Sequence, residues 1–211
     1  MKGLIISSGT ITDYSRLEGL LKDSDFVICA DGGMNHLVNV NAVPNLVIGD
    51  LDSINKEALD FIKYNNIPIE KYSTVKDTTD TGLALEYLIE GKFNEITMIG
   101  VTGTRQDHTT ANIFLLDYLN NKGIKGKIVD DNNIIYLIDD YIELDYVVDC
   151  FVSVIPITDG GITVSLSGFY YNLNNTEIEF GSTYGISNRV IDKKGRISIH
   201  KGKALIFISK D

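Results

Sequence analysis

The sequence predicts an α/β fold: an N-terminal doubly wound, mostly parallel sheet with flanking helices, followed by a small all-β, sandwich-like C-terminal domain. Three observations predict it. Over the first two thirds of the 211 residues, apolar strand-like runs alternate with runs of helical period. After about Asp131 the helical period stops, and short strand-like runs follow one another, separated by Gly, Asn, Asp and Ser. Nearly every strand-to-helix turn of the first part carries an aspartate, and in an open parallel sheet those turns share the edge where ligands bind.

The first element is KGLIISS, a buried strand; its single Lys and short apolar run before Ser and Gly are not those of a signal peptide. The strands DFVICAD, NLVIGD, PIEKYS, EITMIG and KGKIVD follow. Several are near-continuous apolar runs, which suits a sheet covered on both faces. Between the strands the pattern predicts helices over Tyr14–Leu21, Gly33–Val40, Asn55–Tyr64, Thr79–Ile89 and His108–Asn120. In the last, Ile113, Leu116 and Leu119 recur at helical spacing while Asn112 and Asp117 face elsewhere. NIIYLID, YIEL, CFVSVIP, GITVSL, TEIEF, GRISIH and KALIFISK then read as the strands of a small antiparallel sandwich. The expected domains are residues 1–131 and 132–211, with no repeat and no low-complexity linker between them. Cys29 and Cys150 lie in apolar runs and read as small buried hydrophobes.

Composition excludes several function classes. At 44% hydrophobic the chain can bury a real core, but no apolar run approaches the roughly 20 residues that cross a bilayer, so no membrane partner is expected. A cytoplasmic location is the matching expectation. A net charge of −10 without a Lys/Arg cluster argues against nucleic acid. A single nucleotide is still admissible, because a bound cation inverts the local sign. There is no Walker loop, no G-x-G-x-x-G, no zinc motif and no nucleophile elbow.

Four blocks hold the aspartates. CADGGMNHL carries Asp31, IGDLDSI carries Asp50 and Asp52, VKDTTDTG carries Asp77 and Asp80, and GVTGTRQDHTTAN carries Asp107. Converging carboxylates are hard oxygen ligands, and such a cluster reads as a site for Mg²⁺ and a polyphosphate. Each block also has a plainer reading. Gly32 and Gly33 bare the backbone at a helix start, which suits an anion; Asp31 is otherwise a helix cap. Asp50 and Asp52, on one side of an extended segment, repel unless a cation sits between them. Otherwise Asp52 or Ser53 caps the next helix, which leaves Asp50 unexplained. Asp77 and Asp80 have the spacing of a cap and its partner three residues on, and Lys76 either neutralises a phosphate or pairs with an aspartate. In TGTRQDH, Arg105 offers bidentate contacts to phosphate and Gly103 permits close backbone approach, with Asp107 and His108 beside them. The alternative there is a surface loop and an Asp-capped helix. His36 and His200 are assigned to structure.

Taken together the blocks resemble the thiamine pyrophosphokinase family, whose pattern runs ADGGxN, GDxDS, KDxTD and a glycine-containing loop ending in RxDHxxAN. All four occur here in order, and the second domain adds Gly168–Leu173 and the G-I-S-N of Gly185–Asn188. The likeness covers nearly the whole chain. Met34 stands where a small residue is common and Thr104 where glycine is frequent, which touches only the fine shape of the nucleotide pocket. The resemblance implies that the hydroxyl of thiamine attacks the β-phosphorus of ATP and AMP leaves. It implies catalytic roles for Asp31, Asp77, Asp80, Arg105 and Asp107, with the proton going to Asp31, Asp77 or Asp80. Mg²⁺ would sit on Asp50 and Asp52 together with Asp77 or Asp80. Gly32, Gly33, Asn35, Lys76, Gly103 and His108 would contact the nucleotide, and Ser187 and Asn188 the thiamine. The resemblance further implies a homodimer with each site shared between subunits; the plainer reading of Ser187 and Asn188 is a turn between two strands.

Overall fold

The computed structural model describes residues 1–71 and 78–210. Lys76 and Asp77 therefore lie outside the described residues. The chain divides into two compact units, Met1–Asp131 and Asn132–Asp211.

In the first unit β1 (Lys2–Ile6), α1 (Tyr14–Lys22), β2 (Phe26–Ala30), α2 (Met34–Asn39), β3 (Leu46–Gly49), α3 (Lys56–Tyr64), β4 (Ile69–Lys71), α4 (Asp80–Glu90), β5 (Glu95–Ile99), α5 (Gln106–Asn121) and β6 (Lys125–Val129) follow in order. The strands lie side by side as β4-β3-β2-β1-β5-β6, and every neighbouring pair is parallel. The chain thus winds outward from β1 to β4, returns to the far side of β1 as β5, and continues to β6. That reversal makes the edge beyond β1 and β5 a topological switch point, where neighbouring turns diverge and leave a crevice. β1, β2, β3 and β5 are buried almost end to end, as a sheet covered on both faces requires. One core cluster joins Leu4, Ile6, Val27, Cys29 and Val47 of the sheet to Leu17, Leu37, Ala58 and Ile62 of the helices. Burial pushes the Cys29 thiol up, so it stays protonated and inert.

The second unit comprises β7 (Asn133–Ile138), β8 (Tyr141–Asp145), β9 (Phe151–Pro156), β10 (Ile162–Ser167), β11 (Leu173–Ile178), β12 (Lys194–Lys201) and β13 (Ala204–Ser209). Within it β13 pairs antiparallel with β7 and β9, and a second antiparallel sheet runs β11-β10-β12-β8. Burial alternates along β9, β10 and β12, the period-2 pattern of strands with one face inward. The inward residues of both sheets, among them Val152, Val154, Val164, Ile197 and Ile206, form one cluster around the fully buried Phe169. Cys150 is half-buried, and both cysteines are free thiols.

Candidate active site

A cleft of about 860 Å³ opens at the carboxyl ends of β1, β2, β3 and β5, bounded by the first turns of α4 and α5. Its walls are mostly polar backbone and small hydroxyl side chains. Ser7, Ser8 and Thr10 follow β1, and Val101 and Thr102 follow β5.

Three of the predicted carboxylates converge there. Asp31, Asp50 and Asp52 each offer an oxygen, and these atoms lie within 4.8 Å of one another. None of them caps a helix. α2 starts without a side-chain cap, α3 is capped by Asn55, which accepts from the Ala58 amide at 2.8 Å, and α4 by Thr79, which accepts from Gly82 at 3.2 Å. The cap expected of Asp31, of Asp52 or Ser53, or of Asp107 ahead of α5 is therefore not made: α5 has no side-chain cap at all. Asp50 and Asp52 converge by a different route from the one expected. The segment is not extended; Leu51 adopts φ +73°, and the turn folds the Asp52 amide onto Asp50 Oδ1 at 3.1 Å. Asp31 also has a positive φ, +46°, a conformation that Asp tolerates better than most residues.

Asp31 is the most constrained of the three. It is 8% exposed, and its Oδ1 is the one buried side-chain polar atom without a hydrogen-bond partner among the described residues. Burial raises its pKa, the Ser53 hydroxyl opposes the rise, and the charges of Asp80 and Asp50 add to it. An orphaned, buried carboxylate oxygen facing two further carboxylates is a donor set for a hard divalent cation. The residues present therefore fit Mg²⁺. Asp80 opens α4 and also lines the cleft; a Cβ on Gly49 would touch both Asp31 Cβ at 3.1 Å and Asp80 Oδ1 at 3.2 Å.

Arg105 and His108 line the α5 end of the cleft, and Arg105 forms an ion pair with Asp107 at 2.6 Å. The Arg105 guanidinium, with help from the His108 amide, holds the Asp107 carboxyl down to about 2. Asp107 is thus a poor proton acceptor at neutral pH, and it steers Arg105. Gly103 lines the wall; its amide bonds Thr109 Oγ1 at 3.2 Å.

Other predicted residues stand behind the cleft. Gly33 lets α2 approach β1, for a Cβ there would fall 2.0 Å from the Ile6 carbonyl; Gly32 sits between Ser8 and Ser53. Asn35 braces the loop before α3, donating to the Ser53 carbonyl and accepting from the Asn55 amide, both at 3.1 Å. Sequence reasoning missed Ser7 and Thr81, whose buried hydroxyls meet at 2.8 Å, and the structural use of Asn112, which donates to the Val101 carbonyl at 2.8 Å. The Ser-Ser-Gly-Thr run directly after a buried strand was the available signal for the first.

In the second unit Ser187 and Asn188 lie on the edge of β9, where Asn188 bridges Val152. They differ in use. Asn188 is buried, and its amide grips the Tyr171 backbone at both N (3.0 Å) and O (2.8 Å). Ser187 is exposed at φ +60°, held through its amide by Ser153 Oγ at 3.0 Å, while its hydroxyl makes no hydrogen bond within the described residues. His200, assigned to structure, meets Ser165 Oγ at 2.8 Å.

Comparison with known proteins agrees across both units. The family described as thiamin pyrophosphokinase, catalytic domain, matches residues 17–128, and that described as thiamin pyrophosphokinase, vitamin B1 binding domain, matches residues 141–204. The thiamine pyrophosphokinase of Bacillus subtilis (strain 168) is 32% identical over 210 residues, 98% of each chain. The crystal structure of thiamine pyrophosphokinase from Bacillus subtilis superposes with a TM-score of 0.90 at 30% identity, covering 100% of both chains. That from Geobacillus thermodenitrificans does so with a TM-score of 0.84 at 28% identity, covering 100% of this chain and 98% of its own.

Proposed function

The chain belongs to the thiamine pyrophosphokinase family and transfers the pyrophosphoryl group of ATP to thiamine, and we propose that the cleft of the first unit is where ATP and Mg²⁺ bind for that transfer. The observation that carries this reading is the orphaned Asp31 Oδ1 within 4.8 Å of Asp50 and Asp52. Those three carboxylates would hold the cation, and a cation held there supplies charge neutralisation for the phosphate oxygens.

The protein's own groups supply position and charge. Arg105, oriented by Asp107, binds phosphate at the opposite wall. The uncapped amides of α5 favour the same anion. Gly103 and His108 border that phosphate; for Lys76 and Asp77, which lie outside the described residues, the resemblance implies a nucleotide contact and a metal or catalytic role respectively. Gly32, Gly33 and Asn35 hold the acidic turn in place. The thiamine oxygen forms its bond to the β-phosphorus as the bond from that phosphorus to the AMP oxygen breaks. The hydroxyl proton passes to a cleft carboxylate outside the close trio, and Asp80 is the described residue in that place. Ser187 binds thiamine through its hydroxyl, and Asn188 fixes the turn beside it. The enzyme works as a homodimer. Two free thiols, one buried, suit a reducing cytoplasm.

The test is product analysis by mass spectrometry with ATP, thiamine and titrated Mg²⁺. The wild type should form AMP only when thiamine is present. Asp52→Asn should lose most turnover at every Mg²⁺ concentration, because a neutral amide is a poor Mg²⁺ ligand. Near wild-type turnover of that variant at limiting Mg²⁺ would remove the acidic cluster from the mechanism.

A further inference from the structure

We propose that His36 is a positioning residue for the reaction: from α2 it pins the loop that follows β1 and so fixes the wall of the nucleotide cleft. This rests on the cleft being the ATP site.

The loop Ser7–Thr10 runs along the switch point; its backbone amides are tied to β5 and the turn after it, and the Ser7 hydroxyl to Thr81. The Ser7 amide bonds the Ile99 carbonyl at 3.0 Å, Gly9 the Gly100 carbonyl at 2.6 Å, and Thr10 the Thr102 carbonyl at 3.0 Å. The approach is so close that a Cβ on Gly9 would lie 2.3 Å from Thr102 O and 2.4 Å from Gly100 O. On the other side the Gly9 carbonyl is held by His36 Nε2 at 2.8 Å. A carbonyl only accepts, so Nε2 carries the proton. In the neutral ring Nδ1 is then the acceptor, and it meets the Tyr14 hydroxyl at 3.3 Å; that hydroxyl in turn accepts from Asn39 Nδ2 at 2.7 Å. With a neutral imidazole the chain Asn39–Tyr14–His36–Gly9 has one consistent set of donors and acceptors, which selects the Nε2–H tautomer.

Its location gives the latch a role beyond packing. His36 stands five residues after Asp31, on the helix that the acidic turn opens. Its partner loop presents Ser8 and Thr10 to the cleft. One short element thus links the turn that carries Asp31 to the neighbouring backbone wall of the cleft. Positional errors on the order of 1 Å cost as much as about a hundredfold in rate where in-line geometry decides the reaction.

The experiment measures kcat and KM for ATP and for thiamine in the full-length enzyme. His36→Ala should lower kcat/KM for ATP about tenfold and leave the thiamine KM within twofold. His36→Gln, whose amide can donate to the Gly9 carbonyl, should return kcat/KM for ATP to within about threefold of wild type. Tyr14→Phe keeps the ring packed and should shift kcat/KM for ATP the same way by about two- to threefold, so it decides the case if His36→Ala does not fold. Unchanged ATP parameters in folded His36→Ala, no recovery in His36→Gln, a thiamine KM that rises equally, or a silent Tyr14→Phe would each overturn the proposal. Asp52→Asn is the control: if it is inactive while His36→Ala is normal, the latch fails and the cleft stands. If both are normal, the cleft itself is not the site.

Discussion

Burying a carboxylate oxygen without a partner destabilises a fold by about 1–3 kcal/mol, and Asp31 Oδ1 is such an atom. On the proposed reading, cation binding rather than folding accounts for its place. Because burial raises the Asp31 pKa, the protonated form is the one the fold favours. That stabilisation is present below the ordinary carboxylate range and is lost as pH rises through the raised value. Asp31→Asn should therefore raise the Tm of the metal-free protein at pH 7, converge with wild type at acid pH, and cut activity by about a hundredfold or more. Thermal scans against pH, with and without Mg²⁺ and ATP, check all three; a lower Tm at pH 7 would contradict the argument. At this scale the sequence was legible for chemistry and less so for geometry. The spacing of Asp50 and Asp52 pointed to a shared cation, yet the turn that joins them depends on a positive φ at Leu51, which no residue type there announces. His36 was read as structural with no partner to name, because its partner is a backbone carbonyl 27 residues away.

Among the elements, helix starts decide which side chains are available to a ligand. Thr79 caps α4, and the first turn it fixes carries Asp80 and Thr81 to the cleft wall. Thr79→Ala should cost about 1 kcal/mol, a Tm loss of about 2–4 °C in a chain of this size. It should also lower activity several-fold by fraying that turn, with Thr79→Ser restoring both. A variant that loses stability but keeps full activity would show that the first turn of α4 does not serve the site. The helical period placed all five described helices within about two residues of their observed ends, because amphipathic spacing is a local property. Strand order is not local. Nothing in KGLIISS states that β5 will pair on its far side, so the Ser7–Thr10 loop could not be recognised as the wall of a switch-point crevice until the topology was known.

At the scale of the whole molecule there are two units with separate cores, and on the proposed reading they divide two chemically different substrates. The first carries the acidic cluster and Arg105, suited to a polyphosphate with its cation. The second carries no comparable cluster among its described residues, and the Ser187 hydroxyl is its unengaged polar group in the G-I-S-N segment. A protein of net charge −10 binds a polyanion where a cation reverses the local charge, and the acidic cluster of the first unit is suited to hold such a cation. Ser187→Ala should therefore raise the thiamine KM about tenfold, the effect of losing one hydrogen bond worth ~1.4 kcal/mol, with the ATP KM within twofold and the Tm unchanged. Asn188→Ala should behave differently. It releases the Tyr171 backbone from a buried amide, so it should lower the Tm as well as raise the thiamine KM. Light scattering on both variants should give a mass near twice 23.4 kDa, as for the wild type, which separates loss of substrate grip from loss of assembly. If Ser187→Ala raises both KM values equally, the segment serves the fold, and the thiamine contact must be sought on another surface.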